Sequence, residues 1–307
     1  MANYKLKPAV KYVKPMKMLF FGPQDSGKTL SSLYIAAGIV MEKRKCTLEE
    51  SWKHIAMIDS EYGRGTLYAH IGPFNYFEIK APYTCDKLID LIHWLDTQLE
   101  IDVILPDSLT HYWTKSGGIL DRKAAKDAKG GNSYTNWQEF SGEFSTLIDA
   151  LLGSPKHILC TSRSKNDTVL LPNEKGKMVP TTMGLKADLR DGVDYDFDVV
   201  FNVEKQTHDL LKEKGVPGMT DVYAMATPET GVELYKLFST DAVVPPRTPD
   251  NIMDSIRRLA KEHDKVQFMM LELSGKKLDV LNEKELIALE KKLIKEIKSG
   301  QLKKGKK

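Results

Sequence analysis

The chain has 307 residues, 41% hydrophobic and 28% charged, with a formal net charge of +3. This is the balance of a folded globular protein and excludes a polycation. No apolar run approaches a bilayer span, and the opening MANYKLKPAVKYVK lacks the apolar stretch of a secretory leader, so a cytoplasmic protein with no membrane contact is expected.

Residues 1–16 form a basic arm, with Lys5, Lys7, Lys11 and Lys14 and no acid. Such an arm can grip a phosphate backbone or simply fray in solvent. From residue 17 to about 162, short apolar runs alternate with amphipathic helical patterns. Strands are expected at 17–21, 55–59, 76–80, 101–105 and 157–161, and helices at 28–42, 84–99 and about 135–152. Leu88, Ile89, Leu91, Ile92, Leu95 and Leu99 mark one helical face; Trp137, Phe140, Phe144, Leu147, Ile148 and Leu151 mark another. This alternation reads as an α/β fold, a mainly parallel sheet with helices on both faces. Beyond 190, the runs 198–203, 221–227 and 232–238 read as strands that extend the sheet antiparallel at one edge.

The prolines of VVPPRTPDN punctuate a boundary near residue 245. The expected organisation is therefore the arm, a core at 17–245 and a helical region at 246–307. That last region has helices at 249–264 and 283–298. Asn282 and Glu285 form a capping-box pattern, and the lysines beyond Lys291 make a basic tail. Cys46, Cys85 and Cys160 are few and far apart, against a disulfide framework or a zinc site.

Three segments carry chemistry. Gly22-Pro23-Gln24-Asp25-Ser26-Gly27-Lys28-Thr29 fits G-x-x-x-x-G-K-[ST] between a strand and a helix. The glycines let backbone N–H groups turn inward on phosphate oxygens, and the helix N-terminus adds its own donors. Lys28 is placed to reach the β- and γ-phosphates of ATP, and the Thr29 hydroxyl to bind Mg²⁺. IDVILPDSLTHYW ends an apolar run on Asp107, a candidate Walker B carboxylate for the metal; the competing reading is an aspartate capping the next turn. Pro106 argues that this strand stops one residue early. In IAMIDSEYGRGTL a strand ends at Asp59, and Glu61 follows at the edge where nucleotides bind in open α/β sheets. A glutamate there can polarise the attacking water; it can equally be a surface acid in a glycine-rich turn.

With these motifs in this order the chain resembles the RecA-like P-loop ATPases, in particular the compact phage-encoded members of the single-strand annealing and recombination group. The resemblance covers residues 17 to about 240. It rests on the P-loop, Asp59-Ser60-Glu61, Asp107-Ser108, Thr110-His111-Tyr112-Trp113 and Arg163-Ser164-Lys165. It implies that Glu61 is the catalytic glutamate and that ATP, with Mg²⁺, is hydrolysed. RecA itself has a polar γ-phosphate sensor, usually glutamine, where this chain has Thr161, Ser162 and Arg163, so Arg163 becomes a candidate sensor. RecA's N-terminal oligomerisation helix has no counterpart, leaving the arm or the core to build a ring or filament.

In that family two loops beside the P-loop line the DNA channel. The corresponding segments here are His111 to Asn136, with Lys115, Arg122, Lys123, Lys126 and Lys129, and Lys165 to Lys186, with Lys175 and Lys177. Lysines there would neutralise phosphates while aromatics stack on bases. ILDRKAAKDAK is also good helix sequence, so the first segment can be an exposed helix. His111 reads as structural. The expected function is a Mg²⁺-dependent ATPase that binds single-stranded DNA in phage recombination, annealing, repair or replication, as a homo-oligomer with phage or host recombination and replication proteins as partners. The alternatives are a P-loop kinase of a small metabolite and an ATP-binding annealing protein that barely hydrolyses.

Overall fold

The computed structural model describes residues 11–172, 177–240, 253, 256 and 281–298. Lys5, Lys7, Lys175, most of the 249–264 stretch and the terminal lysines lie outside the described residues. The chain divides into two compact units, Met1–Ala242 and Val243–Lys307.

In the first unit the elements run β1 (Lys17–Gly22), α1 (Lys28–Arg44), α2 (Leu48–Ser51), β2 (Ile55–Asp59), β3 (Asn75–Glu78), α3 (Cys85–Thr97) and β4 (Val103–Asp107). They continue with α4 (Thr110–Thr114), α5 (Ile119–Asp127), α6 (Ser133–Gly153), β5 (His157–Pro172), β6 (Met178–Ala187), β7 (Val199–Val203), β8 (Leu210–Lys214), β9 (Val222–Tyr223) and α7 (Pro228–Ser239). The sheet has nine strands in the order β3-β2-β4-β5-β1-β7-β8-β9, with β6 paired to β5 off that path. The strands from β3 to β7 along this order run parallel; β8 and β9 add antiparallel at the edge.

The central strands are continuous apolar runs because helices cover both faces. Leu19, Phe21, Ile58, Ile104 and Ile158 pack with the buried faces of α3 and α6. The alternate residues Met18, Phe20, Met57, Leu105, Leu159 and Phe201 pack with α1 and α7. The order places β5 between the P-loop strand β1 and β4, with Gly22 opposite Arg163 and Asp59 opposite Asp107. The carboxyl ends of four adjacent strands therefore converge on one edge.

Four expectations are corrected. Residues 232–238 are not a strand but part of α7. Val232, Leu234 and Phe238 fit a period of two, but Pro228 occupies the first helical turn and Thr227 N–H donates to Thr230 Oγ1 at 3.2 Å, an N-terminal cap. Within 221–227 only Val222–Tyr223 is strand. The β4 strand does not stop before Pro106 but runs to Asp107. The proline is tolerated because pairing with β5 has already ended at Ile104 opposite Ile158.

The segments expected as two long loops are regular. His111 to Asn136 forms α4, α5 and the start of α6, and Lys165 to Pro172 and Met178 to Lys186 belong to the β5–β6 ribbon. Good helix formers and an Asn132 cap that accepts from Tyr134 N–H at 2.8 Å explain the first. Antiparallel pairing from Ser164 opposite Ala187 to Pro172 opposite Met178, with one register shift between Asp167 and Thr168, explains the second.

α1 and α7 cross where two glycines meet. A Cβ on Gly231 would lie 2.2 Å from the Ile35 carbonyl oxygen, and one on Gly38 would lie 1.8 Å from that of Pro228. Gly231→Ala gains up to about 1 kcal/mol of helix propensity. The methyl meets backbone rather than a yielding side chain, so overpacking prevails and the net loss is about 1–3 kcal/mol, read as a lower urea midpoint. In the second unit α8 (Glu283–Lys298) begins at a reciprocal cap: Asn282 N–H donates to Glu285 Oε2 at 2.8 Å, and Glu285 N–H donates to Asn282 Oδ1 at 3.0 Å. Leu286, Leu289 and Leu293 are buried along this helix. No helix of the described residues is long and apolar enough to cross a membrane.

Candidate active site

The loop between β1 and α1 lines a cleft of about 500 Å³ together with Glu61, Arg64, Leu67, Tyr68, Asp107, Ser108, Arg163 and Ser164. Its curvature depends on two glycines. Gly27 has φ +86°, and a Cβ there would also lie 3.2 Å from the His208 ring. A Cβ on Gly22 would lie 2.6 Å from the Val203 carbonyl oxygen. His208, in the β7–β8 turn, braces the loop from behind, with Nδ1 2.9 Å from the Ser26 carbonyl oxygen.

The backbone N–H groups of Asp25, Ser26, Gly27 and Lys28 donate to no protein acceptor among the described residues. Four orphan donors at a helix N-terminus fit a polyphosphate. Lys28 Nζ folds back on the loop and donates to the Pro23 carbonyl at 2.6 Å. Burial lowers its pKa, against the pull of Asp107 and Glu61.

Asp107 and Thr29 meet at the floor of the cleft. Thr29 Oγ1 donates to Asp107 Oδ2 at 2.7 Å, and Thr161 Oγ1 donates to Oδ1. Burial pushes the Asp107 carboxyl above its ordinary value, while the Thr161 and Thr29 hydrogen bonds oppose the rise. A hydroxyl and a carboxylate are hard oxygen donors that fit Mg²⁺. Among the described residues no cluster of three or more His, Cys, Asp or Glu makes a closed metal cage, so a cation here would share its shell with phosphate and water.

Glu61 is held by Arg163, with His111 behind the pair. Arg163 Nη2 lies 2.8 Å from Oε2 and 2.9 Å from Oε1, and Nε lies 3.2 Å from Oε1. His111, fully buried, has Nε2 3.3 Å from Glu61 Oε1. Its Nδ1 lies 2.7 Å from the Ser60 carbonyl oxygen, which can only accept, so the proton sits on Nδ1. Nε2 is then free to accept from Arg163 Nη2 at 3.2 Å. Burial lowers the His111 pKa, as this neutral tautomer requires. For Glu61, burial raises the pKa, but the Arg163 hydrogen bonds and charge, with the charge of Arg64 beyond, outweigh it and hold the carboxyl below its usual value.

Asp59 shapes the turn that presents Glu61. Its fully buried carboxylate accepts from Glu61 N–H, from Gly65 N–H at 2.8 Å and from the Tyr76 hydroxyl at 2.8 Å. It therefore acts as a buckle for residues 60–65. Tyr76→Phe removes one hydrogen bond to a buried charge, with an expected loss of about 1–3 kcal/mol in a urea titration and an unchanged slope.

Of the residues singled out in the sequence, Gly22 to Asp25, Gly27 to Thr29, Glu61, Asp107 and Arg163 line this cleft, whereas Ser26 is buried beneath the loop and does not line it. The candidate DNA contacts lie apart from its lining. Arg122 pairs with Glu143, Lys123 with Asp127 and Lys126 with Glu139, all within α5 and α6. Lys115 and Lys129 make no ion pair among the described residues. Lys165 Nζ donates to the Leu189 carbonyl at 2.9 Å, Lys177 begins the approach to β6, and Lys175 is outside the described residues. Sequence reading missed Arg64, Tyr68 and His208 and took His111 as structural. The glycines at 63 and 65 were the one available signal for the turn that brings Arg64 and Tyr68 to the cleft.

A P-loop with orphan donors, a Thr–Asp pair and a strand-end glutamate define a nucleotide-binding protein of the P-loop class. The family model described as AAA domain matches residues 14–233. The chain belongs to this family of AAA-type P-loop ATPases. A comparison with curated proteins found no match.

Proposed function

We propose that the protein is a Mg²⁺-dependent ATPase of RecA-like type that couples nucleotide turnover to binding of single-stranded DNA in phage recombination, annealing, repair or replication. The observation that carries this reading is the convergence of Lys28, Thr29, Asp107, Glu61 and Arg163 on one cleft, with the β5–β6 ribbon starting at the residue after Arg163.

ATP would present its electrophilic γ-phosphorus in the cleft, and Mg²⁺, when bound, would supply charge neutralisation at the phosphate oxygens. The loop N–H groups and Lys28 would hold the phosphates, and Thr29 with Asp107 would hold the cation. Glu61 accepts a proton from the attacking water. While Arg163 is paired with Glu61, that carboxylate is a weak base. When the guanidinium turns to phosphate oxygens, Glu61 recovers basicity, so Arg163 senses the terminal phosphate and gates Glu61. A slow basal turnover follows from the paired arrangement.

On the ribbon, Lys165 pairs with Asp188 and Asp191, and Lys186 with Asp167 and Asp191, so a phosphate backbone would have to displace these carboxylates; Lys115 and Lys129, on the helical segment, make no ion pair among the described residues. Copies assembled in a ring or filament would align these surfaces along one strand, where phage or host recombination and replication proteins could join. The test is ATP turnover with and without single-stranded DNA, together with DNA retention at low and high salt. Stimulation and salt-sensitive retention are expected. Turnover indifferent to DNA, with no retention at low salt, overturns the DNA part of the reading.

A further inference from the structure

Arg64 stands at the rim of the nucleotide cleft, one residue past a glycine with φ +81°. An exposed arginine on a turn is usually solvated and idle. Three observations set this one apart. Its position is fixed from below, because Gly65 N–H is tied to the buried Asp59 at 2.8 Å, and Arg64 N–H reaches the Glu61 carbonyl at 3.4 Å.

Gly65 is closely packed beneath the turn, where a Cβ would lie 2.7 Å from Met57 Cε and 2.9 Å from Tyr76. The short helical turn Arg64–Tyr68 then lies along the P-loop, bringing Leu67 and Tyr68 to the same cleft, with the Tyr68 hydroxyl beside that of Thr29. Finally, the other two cations of the cleft are engaged, Lys28 on the Pro23 carbonyl and Arg163 on Glu61. Arg64 makes no ion pair and no side-chain hydrogen bond among the described residues. Its charge nonetheless falls on Glu61, the group assigned to the terminal phosphate.

We infer that Arg64 is a phosphate-contacting residue that binds the terminal phosphate of the nucleotide from the same chain, through the buckle that Asp59 makes beneath it. This rests on the nucleotide reading above and adds a residue to it. A guanidinium suits the task, since its planar donors match two phosphate oxygens and it carries charge at any working pH. Held on a rigid turn, it loses little freedom on binding. Contact with the last phosphate alone also makes Arg64 a discriminator between triphosphate and diphosphate.

The test is the affinity of wild type, Arg64→Ala, Arg64→Lys and Lys28→Ala for a fluorescent non-hydrolysable ATP analogue and for fluorescent ADP, at two protein concentrations. Arg64→Ala is expected to weaken the triphosphate at least tenfold and ADP less than about twofold, with Arg64→Lys between and no dependence on protein concentration. Unchanged thermal unfolding of the variants certifies the fold. Equal loss for both nucleotides, no loss for either, or a loss that appears only at high protein concentration overturns the assignment. Failure of the wild type to bind either nucleotide, matched by Lys28→Ala, overturns the nucleotide reading itself and this inference with it.

Discussion

Replacing Glu61 by glutamine is expected to cut ATP turnover by about 10²–10⁴-fold, the usual contribution of a positioned general base. Affinity for the nucleotide should change by less than about threefold. The prediction separates the two jobs a pocket carboxylate can have. Glutamine keeps the shape and can still accept from Arg163, so the turn over Asp59 persists, but the amide cannot take a proton from water. A single-turnover assay under saturating ATP reads the chemical step directly. Full activity in this variant would move the base elsewhere and leave Glu61 as an anchor for Arg163.

Lys28→Ala should instead weaken binding itself. Charge-assisted hydrogen bonds are worth about 1.5–3 kcal/mol each, which is about 10–150-fold in affinity for one lost phosphate contact. The fold should survive, because the partner left behind, the Pro23 carbonyl, lies at a cleft open to water. Titration of a fluorescent ATP analogue checks this, and parent-like affinity would remove the phosphate cradle from the description. Together the two variants would separate nucleotide binding, expected to depend on Lys28, from the chemical step, expected to depend on Glu61.

How much of this was legible in the sequence depends on how local each constraint is. Gly22 to Thr29 could be read because the loop's curvature needs glycine at Gly27 and its chemistry needs Lys28 and Thr29 next to it. Asp107 and Glu61 could be read because strand ends in an open parallel sheet face one edge. Arg163 shares that logic, being in register with Gly22 on the neighbouring strand. Arg64, Tyr68 and His208 could not. Arg64 and Tyr68 reach the cleft only because a buried aspartate folds a turn back on itself, and His208 because a β-turn from the far edge leans on the loop. Neither event leaves a period or a spacing. The helix α7 was misread for a different reason. Seven residues with apolar positions two apart satisfy both periods, and what decides is the Pro228 start and the Gly231 contact with α1, the second of which is tertiary. The β5–β6 ribbon reads as loop because its inner half has the polar run Ser164-Lys165-Asn166-Asp167 opposite Gly184, where a buried strand would have neither.

β5 is one strand with two employments. Its first half supplies Thr161 to Asp107 and Arg163 to Glu61, and its second half, without a break in the chain, is one rail of the ribbon. From Ser164 to Pro172 at about 3.4 Å per residue, that rail is roughly 27 Å long. A tilt of roughly 5° at Arg163 would swing its far end by roughly 2.4 Å, about half the spacing between adjacent strands. Geometry alone would make such a strand a lever, with its near end at the cleft and, among the described residues, one register shift between Asp167 and Thr168 along it.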